Sequence, residues 1–151
     1  MSKVSKIVFI GDGATGKTCV ARRLLDDEWR FSAFKSVPTL GVEVHSVELP
    51  NSNVVNVWDC AGVEKNRGLG DGYYIQAKAA VIFHTPNDVR DWVRDFRRAC
   101  MKKPIVHVGA RADELTNEER EVLMRKYPNI VFVSSKSGEG INELVELLEQ
   151  I

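Results

Sequence analysis

Cysteine is scarce in this chain, and what there is forms no framework. Cys19, Cys60 and Cys100 are odd in number, widely separated and make no C-x-x-C pair. That argues against a disulfide scaffold or a cysteine zinc centre and leads us to expect a reducing compartment. Histidine is equally thin: His45, His84 and His107 fall on three separate expected strands with no second ligand type at metal spacing. Each therefore reads as a core-edge or surface histidine rather than a zinc ligand. No apolar run approaches the ~18 residues of a membrane span, and the polar start Met1-Ser2-Lys3 does not read as a signal peptide. Residue 2 is serine rather than glycine and the last cysteine is Cys100, so neither myristoylation nor prenylation is expected. Net charge is missing too. Lys plus Arg and Asp plus Glu both number 21, which gives no overall field for nucleic acid or membrane, and neither is an expected partner.

What is present fits one α/β domain spanning residues 1–151, expected to be monomeric, with 44% hydrophobic and 28% charged residues and no repeat or linker. Charge is uneven locally. Arg90, Arg94, Arg97, Arg98, Lys102 and Lys103 crowd one segment, and Glu139, Glu143, Glu146 and Glu149 line the last helix. Both read as solvated helix faces before they read as docking surfaces.

The residues Gly11-Asp12-Gly13-Ala14-Thr15-Gly16-Lys17-Thr18 fill the pattern G-x-x-x-x-G-K-[ST] directly after the apolar run Ile7-Val8-Phe9-Ile10. A glycine-rich loop between a strand and a helix wraps backbone N–H groups around phosphates, and the positive end of the helix points at the same anions. Lys17 is then expected to reach the outer phosphates and Thr18 to hold Mg²⁺. An ordinary glycine turn is the bland alternative, and the preceding strand argues against it.

Periodicity places a helix over 17–27, with Val20, Ala21, Leu24 and Leu25 on one face, and an irregular segment over 28–40. Residues 41–49 alternate with one slip, from Val42 and Val44 to Val47 and Leu49, and turn at Asn51-Ser52-Asn53 into 54–58, a β-hairpin. Thereafter strand and helix alternate. Strands are expected at 79–83, 105–108 and 130–133. Helices carry Val89, Trp92, Val93, Phe96 and Cys100, then a capping box at Thr116-Asn117-Glu118-Glu119, then Ile141, Leu144, Val145 and Leu148. The fold class expected is a phosphate-loop α/β domain, a six-stranded mostly parallel sheet with one antiparallel edge strand and helices on both faces.

A phosphate loop does not by itself separate ATPases, kinases and GTPases. Downstream, Asp59-x-x-Gly62 follows a strand, where an Asp can serve Mg²⁺ and a glycine N–H the γ-phosphate; Thr39 is placed to add a hydroxyl. Two mobile loops answering to one phosphate make an order–disorder switch.

Here the sequence resembles the Ran family of nuclear-transport small GTPases. The resemblance is carried by Thr39-Leu40-Gly41-Val42-Glu43-Val44-His45, by Asn56-Val57-Trp58-Asp59-Cys60-Ala61-Gly62 with Glu64-Lys65, and by Asp71-Gly72-Tyr73-Tyr74-Ile75-Gln76-Ala77. It is densest over 7–83 and recurs at Pro104-Ile105-Val106. It implies a GTP- or GDP-binding domain with Mg²⁺, working in nucleus and cytoplasm with importin-β-class receptors docking on residues 39–77. Nucleotide contacts are implied for residues 11–18, Cys19, Thr39 and Gly62, and metal contacts for Thr18, Thr39 and Asp59. Trp29 stands near the family's aromatic at the guanine edge and reads equally as a buried packing indole. Ser134-Ser135-Lys136 matches the family's Ser-Ala-Lys loop, and Gly109-Ala110-Arg111-Ala112-Asp113 stands where the family carries Asn-Lys-x-Asp.

The departures are specific. Val63 replaces the glutamine that orients the attacking water, so no intact catalytic residue is expected and hydrolysis should be very slow. Ala110 lacks the amide that touches the base and ties the loops together, a loss of ~0.5–1.5 kcal/mol, whereas Asp113 can still select guanine and Arg111 can still cover the ring. Ala14 stands where Ran has glycine, which points to faster exchange, and Asn66 replaces the phenylalanine that docks Ran's own importer. These 151 residues contain no counterpart of the family's C-terminal helix and acidic tail. A pseudo-GTPase interaction module is the rival reading, and an ATPase or small-molecule kinase is the remote one.

Overall fold

The computed structural model describes residues 3–13, 15–25, 34–37, 42–59, 72–88 and 90–151, with backbone only at 34–37 and 42. Strand β1 (Val4–Gly11) leads through the phosphate loop into α1 (Lys17–Leu25). Strands β2 (Phe34–Val37), β3 (Val42–Glu48) and β4 (Val54–Asp59) follow, and then β5 (Ala79–His84) and α2 (Trp92–Ala99). The remainder is β6 (Ile105–Gly109), a 3₁₀ turn (Ala112–Glu114), α3 (Asn117–Lys126), β7 (Val131–Phe132) and α4 (Ile141–Glu149).

The strands form one sheet in the order β2-β3-β4-β1-β5-β6-β7. Pairings β4–β1, β1–β5, β5–β6 and β6–β7 are parallel, and β2–β3 and β3–β4 are antiparallel. The six expected strands are all present, mostly parallel. The structure adds a seventh: residues 28–40 read as irregular, yet 34–37 pair along β3 and become the outer edge. Four residues are too few to show a period of two, so only the neighbouring ladder reveals this strand.

The parallel strands are buried on both faces, which explains their unbroken apolar runs. One face packs Ile7, Phe9, Val55, Val57, Val81 and Phe83 against Val20, Ala21 and Leu24 of α1 and Ile141, Leu144 and Leu148 of α4. The opposite face packs Val8, Ile10, Ala80 and Ile82 against Tyr73, Tyr74 and Ala77 of the 72–77 segment and Trp92 and Phe96 of α2. The hairpin corrects one expectation. Its alternation has no slip: His45, Val47 and Leu49 are all buried, and His45 holds the core position that an apolar-only reading leaves empty.

Caps behave as the sequence implies. The Thr116 hydroxyl accepts from Glu119 N at 3.1 Å while the Glu119 carboxylate accepts from Thr116 N at 3.0 Å, which starts α3. Before α4, Gly140 has φ 73°, and a Cβ there would collide with the Phe132 carbonyl. No helix among the described residues is long and apolar enough to cross a membrane.

Candidate functional site

Gly11 closes β1 with its backbone so near β5 that a Cβ would lie 2.5 Å from the Phe83 carbonyl oxygen. The chain then turns through the loop, and Lys17 opens α1 at only 3% exposure. A buried ammonium must be compensated, and the Lys17 Nζ donates to Gly11 O and Asp12 O, both at 2.8 Å, and to Thr15 Oγ1 at 3.4 Å. The cation thus sits in a ring of loop oxygens at the N-terminal end of a helix.

One residue on, the Thr18 hydroxyl donates to Asp59 Oδ2. Parallel pairing of β1 with β4 sets Phe9 beside Asp59, which carries the carboxylate to the sheet edge where α1 begins. Asp59 is 1% exposed, and its Oδ1 has no hydrogen-bond partner among the described residues. Burial pushes its carboxyl above the ordinary value, against the pull of the Thr18 hydroxyl and the Lys17 charge. A hydroxyl and a carboxylate in contact, with one carboxylate oxygen unspent, suit a hard ion that takes oxygen ligands, so these residues fit Mg²⁺.

Sequence reasoning missed a support of this loop. Trp92, read as part of an apolar helix face, does bury its ring, but its Nε1–H donates to Asp12 Oδ1 at 2.7 Å. Arg90 covers the same indole at 4.8 Å. Nothing in the spacing of residues 12 and 92 signals this contact.

The base end is assembled from two distant loops. A cavity of about 210 Å³ lies between Thr15, Gly16, Cys19 and Val20 on one side and Arg111, Asp113, Glu114, Val133, Ser135 and Lys136 on the other. The structure thus brings the phosphate loop against both loops expected to read a base. Asp113 Oδ1 accepts from the Ser134 hydroxyl at 2.7 Å, and Ser134, buried at 1% exposure, accepts in turn from Ser137 N at 3.0 Å. Ser134 is therefore a support that orients the Asp113 carboxylate rather than an open contact. Arg111 is left-handed (φ 50°, ψ 51°), is half exposed, and pairs with Glu114 at 3.7 Å. Ala110 is buried in the aliphatic core, so its methyl packs where the family's amide would otherwise bridge loops.

A guanidinium clamp joins the two loops of the base end to each other. Arg120 Nη2 donates to Ala112 O at 2.6 Å, and the guanidinium holds both carboxylate oxygens of Glu139 at 2.7 and 3.0 Å. The 111–114 turn is thereby tied to the 134–139 loop. That hydrogen bonding raises Arg120 and lowers Glu139 from their ordinary values.

A histidine pair bridges two neighbouring strands. His84 ends β5 and His107 stands in the middle of β6, with His84 Nε2 2.9 Å from His107 Nδ1 and His84 Nδ1 3.2 Å from Asp88 Oδ2. Tyr127 stacks on both rings, at 3.8 and 4.7 Å. Burial, with His84 and Arg97 nearby, lowers His107 to about 4. Burial would raise Asp88, but hydrogen bonds from His84 and Thr85 outweigh it and hold the carboxyl low. His84 O also accepts from Ala110 N at 3.1 Å, which joins this pair to the base loop.

Other expected site residues lie outside the described ones: Ala14, Trp29, Thr39, Gly62 and Val63, together with Glu64, Lys65 and Asn66.

Comparison with known families gives a match over most of the chain. The family model described as Ras of Complex, Roc, domain of DAPkinase matches residues 6–113, a stretch that runs from β1 and the phosphate loop through Asp59 to Asp113. With that match over most of its length, a buried lysine in the phosphate loop and a Thr18–Asp59 pair at the sheet edge, the chain belongs to the Roc family of Ras-superfamily GTPase domains.

Proposed function

We propose that this domain is a Ran-like GTP-binding switch of nucleocytoplasmic transport, one that binds GTP with Mg²⁺ and turns it over very slowly. Membership of the family makes it a guanine-nucleotide switch domain; the Ran-like assignment is finer. It is supported by the resemblance carried by the runs at 39–45, 56–62 and 71–77, and the 39–77 segment that contains them is proposed to engage importin-β-class receptors. The domain would work as a monomer in nucleus and cytoplasm.

The observation that carries the nucleotide reading is the cavity shared by Thr15, Gly16 and Cys19 with Arg111, Asp113, Ser135 and Lys136. In this reading Lys17 exchanges its loop carbonyls for phosphate oxygens, and the amides of residues 11–18 line the anion. Thr18 and Asp59 supply the oxygens for Mg²⁺. When bound, that ion neutralises phosphate charge and orients the outer phosphates. Asp113, steadied by Ser134, accepts from the N–H groups that distinguish guanine from adenine, and Arg111 lies over the ring. Val63 has no group to orient water. Isolated Ras-type domains already turn over only ~10⁻⁴ times per second, and an unaided valine site should be no faster.

A second reading, the pseudo-GTPase module, is favoured by one observation: Ala110 gives its side chain to the core rather than to a base. Identifying the nucleotide released on denaturing the purified protein separates the two. Stoichiometric GTP is expected. GDP would overturn the stalled cycle, ATP the guanine assignment, and a protein that neither carries nor binds nucleotide would establish the module.

A further inference from the structure

We propose that Glu43, His45 and Asp59 form a binding site for a first-row divalent transition ion of the Zn²⁺ class, beside the nucleotide site and sharing Asp59 with it. The hairpin creates the site. Residues 43 and 45 project to the same face of β3 because side chains alternate with a period of two. The antiparallel register then places Glu43 directly opposite Asp59 and His45 opposite Val57, its neighbour on the same face. A ligand atom from each of the three residues lies within 4.8 Å of the others, and Glu43 Oε2 is 3.7 Å from His45 Nε2.

Two carboxylates directly opposed on a ladder repel, and burial magnifies the repulsion. His45 and Asp59 are sealed at 0% and 1% exposure, and the Glu43 side chain is one-third exposed. Glu43 Oε2 and Asp59 Oδ1 are both buried without a hydrogen-bond partner among the described residues. Among the described residues the positive groups acting on this cluster are Lys17, whose ammonium also meets the loop carbonyls, and Arg22 of α1. A divalent cation among the three residues would remove the repulsion and satisfy the orphaned oxygens together.

The donor set selects the ion. One imidazole with two carboxylates is a mixed nitrogen and oxygen set, which suits Zn²⁺ and its neighbours better than Mg²⁺, an ion that favours oxygen alone. Bonds of about 2.0–2.1 Å in a tetrahedral site separate ligand atoms by about 3.3 Å. The present spacing must therefore close by roughly 1 Å or somewhat more. His45 is fixed in the core, so the flexible Glu43 makes that movement. An ion held here takes up a carboxylate oxygen of Asp59 and so competes with Mg²⁺ for it at the nucleotide end. That consequence rests on the nucleotide reading; the binding itself does not.

The test is a Co²⁺ titration of the whole chain after its nucleotide has been stripped with a chelator, read by the visible d–d bands of the ion. One saturable site is expected. Glu43→Gln, a partly exposed change that leaves the core intact, should weaken it at least ~10-fold, and His45→Gln should abolish the bands. Cys100→Ser and His107→Gln, which probe the other candidate donors, should change nothing. Absence of saturable binding overturns the proposal, as does full affinity in Glu43→Gln or loss of the bands in either control variant. If His45→Gln does not fold, Glu43→Gln decides alone.

Discussion

The two ends of the proposed nucleotide site are built by opposite means. At the phosphate end, the chain from Gly11 to Thr18 is closed on itself: Lys17 is 3% exposed and its ammonium is held by carbonyls five and six residues away. At the base end, Arg111 is about half exposed, and the cavity walls come from loops that follow β6 and β7. The difference follows from what each end handles. Concentrated charge has to be compensated within hydrogen-bond reach, which forces a fixed order of residues in one short loop. A neutral base needs a single well-aimed carboxylate, and this end accordingly carries Ala110 and Arg111 while keeping Asp113.

The sharpest way to break this contrast is Lys17→Ala. It removes the charge that would partner the bound phosphates, so nucleotide affinity should fall by about 3–5 kcal/mol, the scale for losing one partner of a buried charge. Calorimetry on stripped protein would measure it, and a loss near 1 kcal/mol would mean that the ammonium is not central. Next in size, Asp113→Asn should cost guanine binding about 1.5–3 kcal/mol while leaving the inorganic phosphate contacts intact. If GTP and ATP then bind as they do to the unaltered chain, Asp113 does not read the base.

Acid should destabilise the fold through His107 in the middle of β6. Unfolding returns His107 to its ordinary value of 6.5, whereas the folded chain holds it at about 4. Between those values the unfolded chain binds a proton that the folded chain refuses, so stability is full above the window and declines as pH falls through it. The loss should amount to about 2 kcal/mol once solvent screening is allowed for, and should level off below the lower value. Melting curves across this range should show it, and His107→Gln should flatten the decline. An equal decline in that variant would shift the cause to other groups.

The smallest effects compare the supports of the two ends directly. Trp92→Phe keeps the buried ring but deletes the 2.7 Å bond to Asp12, and Arg120→Ala releases the clamp between the base loops. Each should cost about 1 kcal/mol. Phosphate-analogue binding should respond to the first and guanine selectivity to the second. If both variants lowered both quantities equally, the two ends would be one cooperative unit.

Local pattern made some features legible. The phosphate loop, the capping box at Thr116 and Glu119, and the amphipathic stripe of Ile141, Leu144 and Leu148 each depend on residues within a turn or two of one another. Their physics is short-ranged, so sequence order carries it. The missed features involve distant partners. β2 becomes a strand only through the ladder of β3, Arg120 meets Glu139 across 19 residues, and Trp92 meets Asp12 across 80. Spacing along the chain gives His45 no second ligand type; that type, Glu43 and Asp59, arrives through hairpin register.

Sequence order alone marks the glycine-rich strand–loop–helix unit of the phosphate-loop pattern and the alternation of strands and helices around a mostly parallel sheet, because backbone conformation, helix capping and apolar periodicity are local properties. The tertiary structure alone decided which carboxylate meets Thr18, what steadies Asp113, and where two acids and an imidazole converge. Those are questions of strand register and loop approach, set by how whole surfaces pack rather than by the order of residues within any one segment.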